Sequence, residues 1–192
     1  MSNSIKNLFA IAILTFTTFA FTTIEVEKKE IKVENSSVVW KGYKVTGSHE
    51  GTIDVKSGSL TFKDGELKDG EISINMRSIT STDLDGEYKG KLEGHLKSDD
   101  FFGVEKHPTA TLKLTKVKHD GKNAYEATGD MTIKGITHPV DLTISVYGNK
   151  ANATIKIDRS KFDVRYGSTS FFDGLKDKAI YDEFDLIADF EF

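Results

Sequence analysis

Apolar and polar residues alternate along most of the chain with a period of two. In residues 138–147, Val140, Leu142, Ile144 and Val146 alternate with residues that are mostly polar. This alternation is typical of strands with one buried face and one solvated face. It predicts about eight strands, near 37–44, 49–62, 71–79, 109–118, 124–134, 138–147, 151–158 and 184–192.

Short turn signals separate the predicted strands. Asp64-Gly65, Asp120-Gly121 and Gly148-Asn149 combine residues that tolerate a positive φ. Such short connections predict antiparallel neighbours. Within the long second strand, Ser57-Gly58-Ser59 shifts the parity of the apolar positions, as a β-bulge does. The chain is therefore predicted to be all-β, and eight antiparallel strands fit a barrel or a sandwich.

One segment, near 83–102, departs from the strand period. Tyr88, Leu92 and Leu96 are four residues apart, which places them on one helical face beside His95. Charged residues fill much of the rest of the segment. A short helix packed against the sheet is therefore predicted here.

The N-terminal residues have the pattern of a secretory signal peptide. Lys6 precedes an apolar run that is short and interrupted by threonines, and Thr18 and Ala20 supply the small residues of a cleavage site. We expect a signal peptide at 1–20, cleaved after Ala20, a charged lead-in at 21–35, and one barrel domain at 36–192. An uncleaved membrane anchor is the alternative. Cleavage predicts a periplasmic or secreted protein without a membrane span.

Composition narrows the classes of partner. The chain has 26 lysines and arginines against 30 acidic residues, and they are interleaved rather than blocked. This distribution argues against a nucleic-acid footprint. There is no cysteine, which excludes a disulfide and the lipidated cysteine of a bacterial lipoprotein.

The chain carries no strong catalytic or metal-binding motif. Its histidines are scattered, without a pairing that places two ligands on one face, at His49, His95, His107, His119 and His138. A Gly-x-Ser-x-Gly nucleophile motif is also absent from the sequence. We expect no enzyme, no cofactor and no metal site. A small hydrolase would require at least two of His49, His95, Asp83 and Asp100 to converge in a pocket.

Several motifs stand in a fixed order along the chain. They are Trp40-x-Gly42, Gly47-x-His49-x-Gly51, residues 95–102 followed by Pro108-x-Ala110, residues 129–140, and Asp158-Arg159-Ser160-x-Phe162. In these motifs the chain resembles the YceI-like family of exported lipid- or polyisoprenoid-binding proteins. The resemblance implies a lipocalin-like closed barrel that carries an isoprenoid or fatty-acid-like lipid in its bore. The stretch from Gly167 to Tyr181 is longer than in the shorter members of that family.

The resemblance and the strand pattern together suggest which side chains reach the bore or its mouth. The predicted ligand-binding positions are Trp40, Ile53, Val55, Ile72, Ile74, Met76, His95, Phe101, Phe102, Leu112, Leu114, Met131, Ile133, Leu142 and Ile144. The alternative is a solid-core barrel that acts through its outer surface as an interaction or stress-response module. Periodicity does not distinguish a filled interior from a hollow one, and it leaves a homodimer open.

Overall fold

A computed structural model describes residues 24–192, which are mostly strands. The predicted signal peptide at 1–20 lies outside the described residues. The strands are β1 Val26–Glu30, β2 Ser37–Lys44, β3 Gly47–Lys63, β4 Glu66–Ser81, β5 Thr109–His119, β6 Ala124–Ile133, β7 Ile136–Tyr147, β8 Lys150–Asp158 and β9 Ile180–Glu191. The α-helix, α1, is Gly86–Lys97.

The eight predicted strands, β2 to β9, form one closed antiparallel barrel. Each pairs with the next along the chain, and β9 pairs back onto β2 from Ser37↔Asp189 to Lys44↔Ile180. Tight turns enforce these neighbours: Asp64 and Gly65 both have positive φ, as do Lys134 and Gly135. The predicted all-β class and barrel are confirmed.

β1 is a strand that the pattern did not predict. It pairs with the second half of β3, from Val26↔Lys63 to Glu30↔Ser59, while β2 pairs with the first half. Residues 26–30 read Val-Glu-Lys-Lys-Glu and gave no apolar face to detect. The strand joins β3 by backbone pairing, on the side of β3 that β2 occupies over the first half. The next residue, Ile31, is buried and donates its backbone N–H to the Gly58 carbonyl at 2.8 Å.

The predicted bulge in β3 is present. The register of β3 against β4 shifts between Val55 and Ser57. Ile53 and Val55 are buried before the shift, whereas Leu60 and Phe62 are buried after it. The bulge therefore moves the inward face of the strand from odd to even positions.

α1 lies against β4 at one end of the barrel, within the segment predicted to be helical. The Glu93 carboxylate accepts hydrogen bonds from the Thr80 hydroxyl and from the Ser81 N–H. Leu96 is buried and Leu92 half-buried, but Tyr88 is 74% exposed, so its expected place on the packed face is wrong. Only the C-terminal half of α1 packs.

Gly51 allows β3 to pass close to β4 and to Trp40. A Cβ atom there would lie 1.9 Å from the Thr80 carbonyl oxygen and 2.7 Å from Cζ2 of Trp40. We predict that Gly51→Ala lowers the free energy of unfolding by about 1–3 kcal/mol, because a backbone oxygen has to move. Urea denaturation followed by the fluorescence of Trp40, the lone tryptophan, measures this change.

Gly90 in α1 offers the matched control. A Cβ atom at Gly90 meets nothing within 4 Å. Gly90→Ala should therefore stabilise the protein by up to about 1 kcal/mol, through helix propensity alone. Equal effects of the two substitutions would contradict the close approach at Gly51.

Candidate functional site

The inner face of the barrel encloses an apolar cavity of about 160 Å³. Thirteen of the fifteen positions predicted from the sequence line it. They come from β2 to β7 and from the segment after α1, and they are Trp40, Ile53, Ile72, Ile74, Met76, Phe101, Phe102, Leu112, Leu114, Met131, Ile133, Leu142 and Ile144. Their contact with a ligand stays a prediction.

Val55 and His95 are the two predicted positions outside the cavity lining. Val55 is buried next to the bulge of β3. His95 packs behind the lining, with its ring centroid 4.1 Å from that of Tyr166 and 5.5 Å from that of Phe101. Burial lowers the pKa of His95; Asp100 opposes the shift, and the Arg159 guanidinium adds to it.

Strands β8 and β9 supply lining residues that the prediction omitted. They occupy every second position of their strands, so the alternation of apolar and polar residues could have predicted them. They include Ala151, Ala153, Ile155, Phe184, Leu186, Ala188 and Phe190. Ala153 and Ala188 are paired across β8 and β9, and Ile144 faces Ala153 from β7. The small pair leaves space where larger side chains would fill the bore.

The two ends of the barrel differ in construction. The turn end carries the short connections 64–65, 120–123 and 148–149. There Phe62 and Phe192 pack with ring centroids 5.5 Å apart, and neither lines the cavity. The helix end carries α1 and the long connection from β8 to β9 at 159–179.

At the helix end the lining of the cavity extends to exposed residues between β2 and β9. The ladder is interrupted there, because Gly42 pairs with Phe184 but Lys44 pairs with Ile180, so that Tyr43 faces three residues of β9. Tyr181 lines the cavity and is also 54% exposed. We call this part of the lining, formed by Gly42, Tyr43, Tyr181 and Phe184, the mouth.

Two features keep the mouth open and ordered. Gly42 stands at an inward position of β2, and a Cβ atom there would meet nothing within 4 Å. The Tyr43 hydroxyl donates to Asp185 Oδ2 at 2.7 Å, and this hydrogen bond raises the pKa of Tyr43. A larger residue at Gly42 would project into the free space.

Arg159 is the one charged residue among the cavity-lining residues, and it is 2% exposed. Its Nε and Nη2 donate to the carbonyls of Tyr181 and Ile180 at 3.1 and 2.9 Å. Its Nη1 donates to the carbonyls of Val164 and Tyr166 at 2.8 and 2.9 Å. The side chain therefore ties the start of the 159–179 connection to the start of β9.

Two carboxylates, those of Asp182 and Asp158, act on the charge of Arg159. Asp182 Oδ1 lies 3.4 Å from its Nη2, an ion pair without a hydrogen bond. Burial lowers the pKa of Arg159, and Asp182 and Asp158 oppose that shift. The amphipathic alternation predicted no such residue, since a charged side chain is ordinarily expected on the surface.

Two of the four residues named for a hydrolase do meet. His49 Nδ1 lies 2.8 Å from Asp83 Oδ2, and the Ser81 hydroxyl donates to Asp83 Oδ1 at 2.7 Å. Burial acts to raise the pKa of Asp83, but the hydrogen bonds from Ser81 and His49 act in the opposite direction. The net effect is a lowered pKa. Neither His49 nor Asp83 lines the cavity, and Ser81 is fully buried, so this cluster joins β3 to the segment before α1.

Residues 24–192 contain no group of three or more histidine and acidic side chains arranged to hold a metal ion. Within the same residues, no helix has the length and apolar character required to cross a membrane.

Comparison with known proteins gives a family match over most of the chain. The profile of the YceI-like domain family matches residues 21–192. A UPF0312 protein of Photorhabdus laumondii is 35% identical over 98 residues, which are 51% of this chain and 48% of the relative. A UPF0312 protein of Azotobacter vinelandii is 32% identical over 98 residues, 51% of this chain and 49% of the relative. The chain thus spans about half the length of these two relatives.

Solved structures share the architecture. BcnA of Burkholderia cenocepacia superposes with a TM-score of 0.61 at 20% identity, over 83% of this chain and 98% of that one. A polyisoprenoid binding domain from Saccharophagus degradans, implicated in plant cell wall breakdown, gives a TM-score of 0.58 at 12% identity, over 87% and 99% of the two chains. At these identities the likeness shows a common fold.

Proposed function

The chain belongs to the YceI-like family, and we propose that its barrel binds the hydrocarbon chain of an isoprenoid or another long-chain lipid. The observation that carries the proposal is the apolar cavity behind the mouth. The polyisoprenoid binding domain from Saccharophagus degradans, which shares the fold, supports the same class of ligand.

The size of the cavity favours one slender chain. A cavity of similar volume, about 150 Å³, lined by Leu, Ile and Phe stays dry and takes up benzene. The 160 Å³ available here suits a short hydrocarbon segment, and a longer prenyl chain requires neighbouring side chains to move. Met76 and Met131 line the cavity and are suited to such movement, because methionine is unbranched and adapts to irregular space.

The polar head group of the ligand is expected at the helix end. Within the bore, polar partners for a head group are scarce, and burying an unpartnered polar group is costly. Arg159 does not supply one, because its donors already serve four backbone carbonyls. The hydrocarbon would enter first, and each buried methylene would contribute about 0.8 kcal/mol.

A fluorescence titration tests this proposal. Detergent-free protein is titrated with cis-parinaric acid, and quenching of Trp40, which lines the cavity, reports uptake. We expect saturable binding, displaced by a long-chain prenol. No quenching and no displacement would contradict a hydrocarbon-binding bore.

Narrowing the mouth should block uptake. We predict that Gly42→Phe weakens the affinity for cis-parinaric acid at least tenfold, because the ring would fill the space beside Tyr43 and Phe184. Val39→Phe on the same strand is the control, since Val39 is exposed on the outer face. Equal affinities of the two variants would show that the ligand does not pass Gly42.

We also propose that the mature protein acts outside the cytoplasm. The apolar run and the small residues at Thr18 and Ala20 support export and cleavage after Ala20. N-terminal sequencing of protein recovered from the periplasm and the medium tests this. A mature chain beginning at residue 21 is expected, and an intact N-terminus in the cytoplasmic fraction would contradict it.

A further inference from the structure

His95 carries the one ring nitrogen of residues 24–192 that is both enclosed and without a hydrogen bond. This atom is Nε2, and the residue as a whole is half-buried. The other buried side-chain atom of the described residues that lacks a hydrogen bond, Asp182 Oδ1, lies beside the Arg159 guanidinium. Buried polar atoms ordinarily have a partner, so the bare Nε2 of His95 calls for an explanation.

The ring of His95 joins two segments at the helix end of the barrel. Its centroid lies 4.1 Å from that of Tyr166, in the β8 to β9 connection, and 5.5 Å from that of Phe101, which follows α1. Both contacts are edge-to-face. Phe101 and Leu96, the residue after His95, line the cavity. His95 therefore packs the connection against a segment that supplies the cavity lining.

The enclosure of Nε2 suits the neutral ring and disfavours the charged one. A neutral imidazole has a single N–H, which Nδ1 can carry, so that Nε2 keeps only its lone pair. An imidazolium has an N–H at both nitrogens. The N–H at Nε2 of His95 would then be a buried donor without an acceptor, and such a donor is costly, the more so when it is charged.

The charged groups nearest the ring leave this preference in place. Burial is the main cause of the lowered pKa of His95; the Asp100 carboxylate opposes the shift, and the Arg159 guanidinium adds to it. Arg159 also shares the Phe101 ring with His95, since its Cζ lies 5.4 Å from the ring centroid. A proton on His95 would thus place a second positive charge close to Arg159.

Other groups on the packed elements do not offer Nε2 an acceptor. From β4, the strand against which α1 lies, the groups that bond to the helix are the Thr80 hydroxyl and the Ser81 N–H, and both donate to Glu93. The chain neighbours of Asp100 and Tyr166 are exposed and form ion pairs, which are Asp99 with Lys106 and Arg165 with Asp163.

We propose that protonation of His95 loosens the helix end of the barrel and speeds the exchange of hydrocarbon between the bore and the solvent. The charged ring leaves its place between Tyr166 and Phe101 to reach water, and the connection separates from the 95–102 segment. The inference rests on the proposed hydrocarbon binding, because that ligand is what the loosened end releases.

The direction of the pH dependence follows from the enclosure. The enclosed ring has a lower pKa than a ring in water, so opening takes up a proton and a fall in pH favours the open form. The closed form is fully favoured above about pH 6.5, the pKa of a free histidine, and loses ground as the pH falls below that value.

Exchange kinetics of a probe without a titratable group test the inference. The whole mature protein is loaded with methyl cis-parinarate and chased with a long-chain prenol, and the recovery of Trp40 fluorescence gives the dissociation rate. The rate is measured at about pH 7.5 and about pH 5, an interval in which histidines titrate and exposed carboxylates stay ionised. We expect dissociation at least about threefold faster at the lower pH.

Substitutions separate His95 from the other histidines. His95→Phe keeps an aromatic ring but takes up no proton, and the smaller His95→Gln repeats the test without added bulk; both should release the probe at one rate at the two pH values. His138→Phe is the matched control, because His138 is also half-buried and packs on Phe162 with ring centroids 5.5 Å apart. It should keep the acid response of the wild type. An undiminished acid response in both His95 variants would overturn the inference.

Urea unfolding without ligand tests the same contact independently of uptake. Between about pH 7.5 and about pH 5 the unfolding midpoint of the wild type should fall further than that of His95→Phe, because only the unfolded wild-type chain gains a proton at residue 95. Equal falls would contradict the enclosed neutral ring. Absence of probe binding at the higher pH would overturn the proposed function, whereas bound probe that leaves equally fast at both pH values would overturn the acid response alone.

Discussion

Replacing Arg159 by methionine should lower the free energy of unfolding by about 3–5 kcal/mol. The substitution keeps the apolar stem but leaves four backbone carbonyls and the Asp182 carboxylate without their cation. Each buried acceptor that loses its donor is destabilised, since water cannot replace the lost partner there. Urea denaturation followed by Trp40 fluorescence measures the change.

Two further variants isolate the role of the guanidinium. Arg77→Met is the matched control, because Arg77 pairs with Glu105 at the surface, where solvent screens an ion pair and leaves it little effect on stability. Arg159→Lys keeps the charge but lacks the planar fork, so it should give an intermediate loss. If Arg159→Met and Arg77→Met change stability equally, Arg159 does not hold the connection to β9.

Enlarging Ala153 to leucine should abolish most hydrocarbon uptake without unfolding the barrel. Ala153 lines the cavity next to Ala188, its paired residue on β9, so the three carbon atoms that leucine adds enter free space. Filling a cavity commonly stabilises a protein by about 0.5–2 kcal/mol. We expect stability to be unchanged or raised within that range and the affinity for cis-parinaric acid to fall more than tenfold, measured by urea denaturation and by Trp40 quenching.

The same substitution at Ala127 provides the contrast. Ala127 is also buried on the inner face, between Val117 and Leu142, but it does not line the cavity. Ala127→Leu should therefore destabilise the protein by about 1–3 kcal/mol through overpacking. Destabilisation of similar size in Ala153→Leu would indicate a solid core rather than a hollow bore.

The strand alternation predicted the eight strands and the inward face of most of them, whereas their closure into a barrel was expected from the family resemblance. The inward residues of β7, such as Leu142 and Ile144, are apolar at every second position, and that period is a direct consequence of strand geometry. The bulge near Gly58 could also be predicted from the sequence, because the apolar positions change there from odd to even residue numbers. Local pattern therefore determined which face of each strand is inward.

Features that depend on distant contacts escaped the pattern. β1 joins β3 through its backbone, with no apolar face to mark it. Arg159 is buried because four carbonyls from two segments converge on it, which no local period encodes. The mouth arises where β2 and β9 lose register at Gly42, and that register is a property of the pair of strands.

Native mass spectrometry of the mature protein, purified from its own host without detergent, tests lipid binding by the bore most directly. We predict a mass increase equal to one lipid per barrel, with an isoprenoid or another long-chain lipid in the organic extract. Ala153→Leu prepared in the same way should appear at the mass of the bare chain. A wild-type protein that carries no lipid in repeated preparations, and takes up none when incubated with a long-chain prenol, would contradict a lipid-binding barrel.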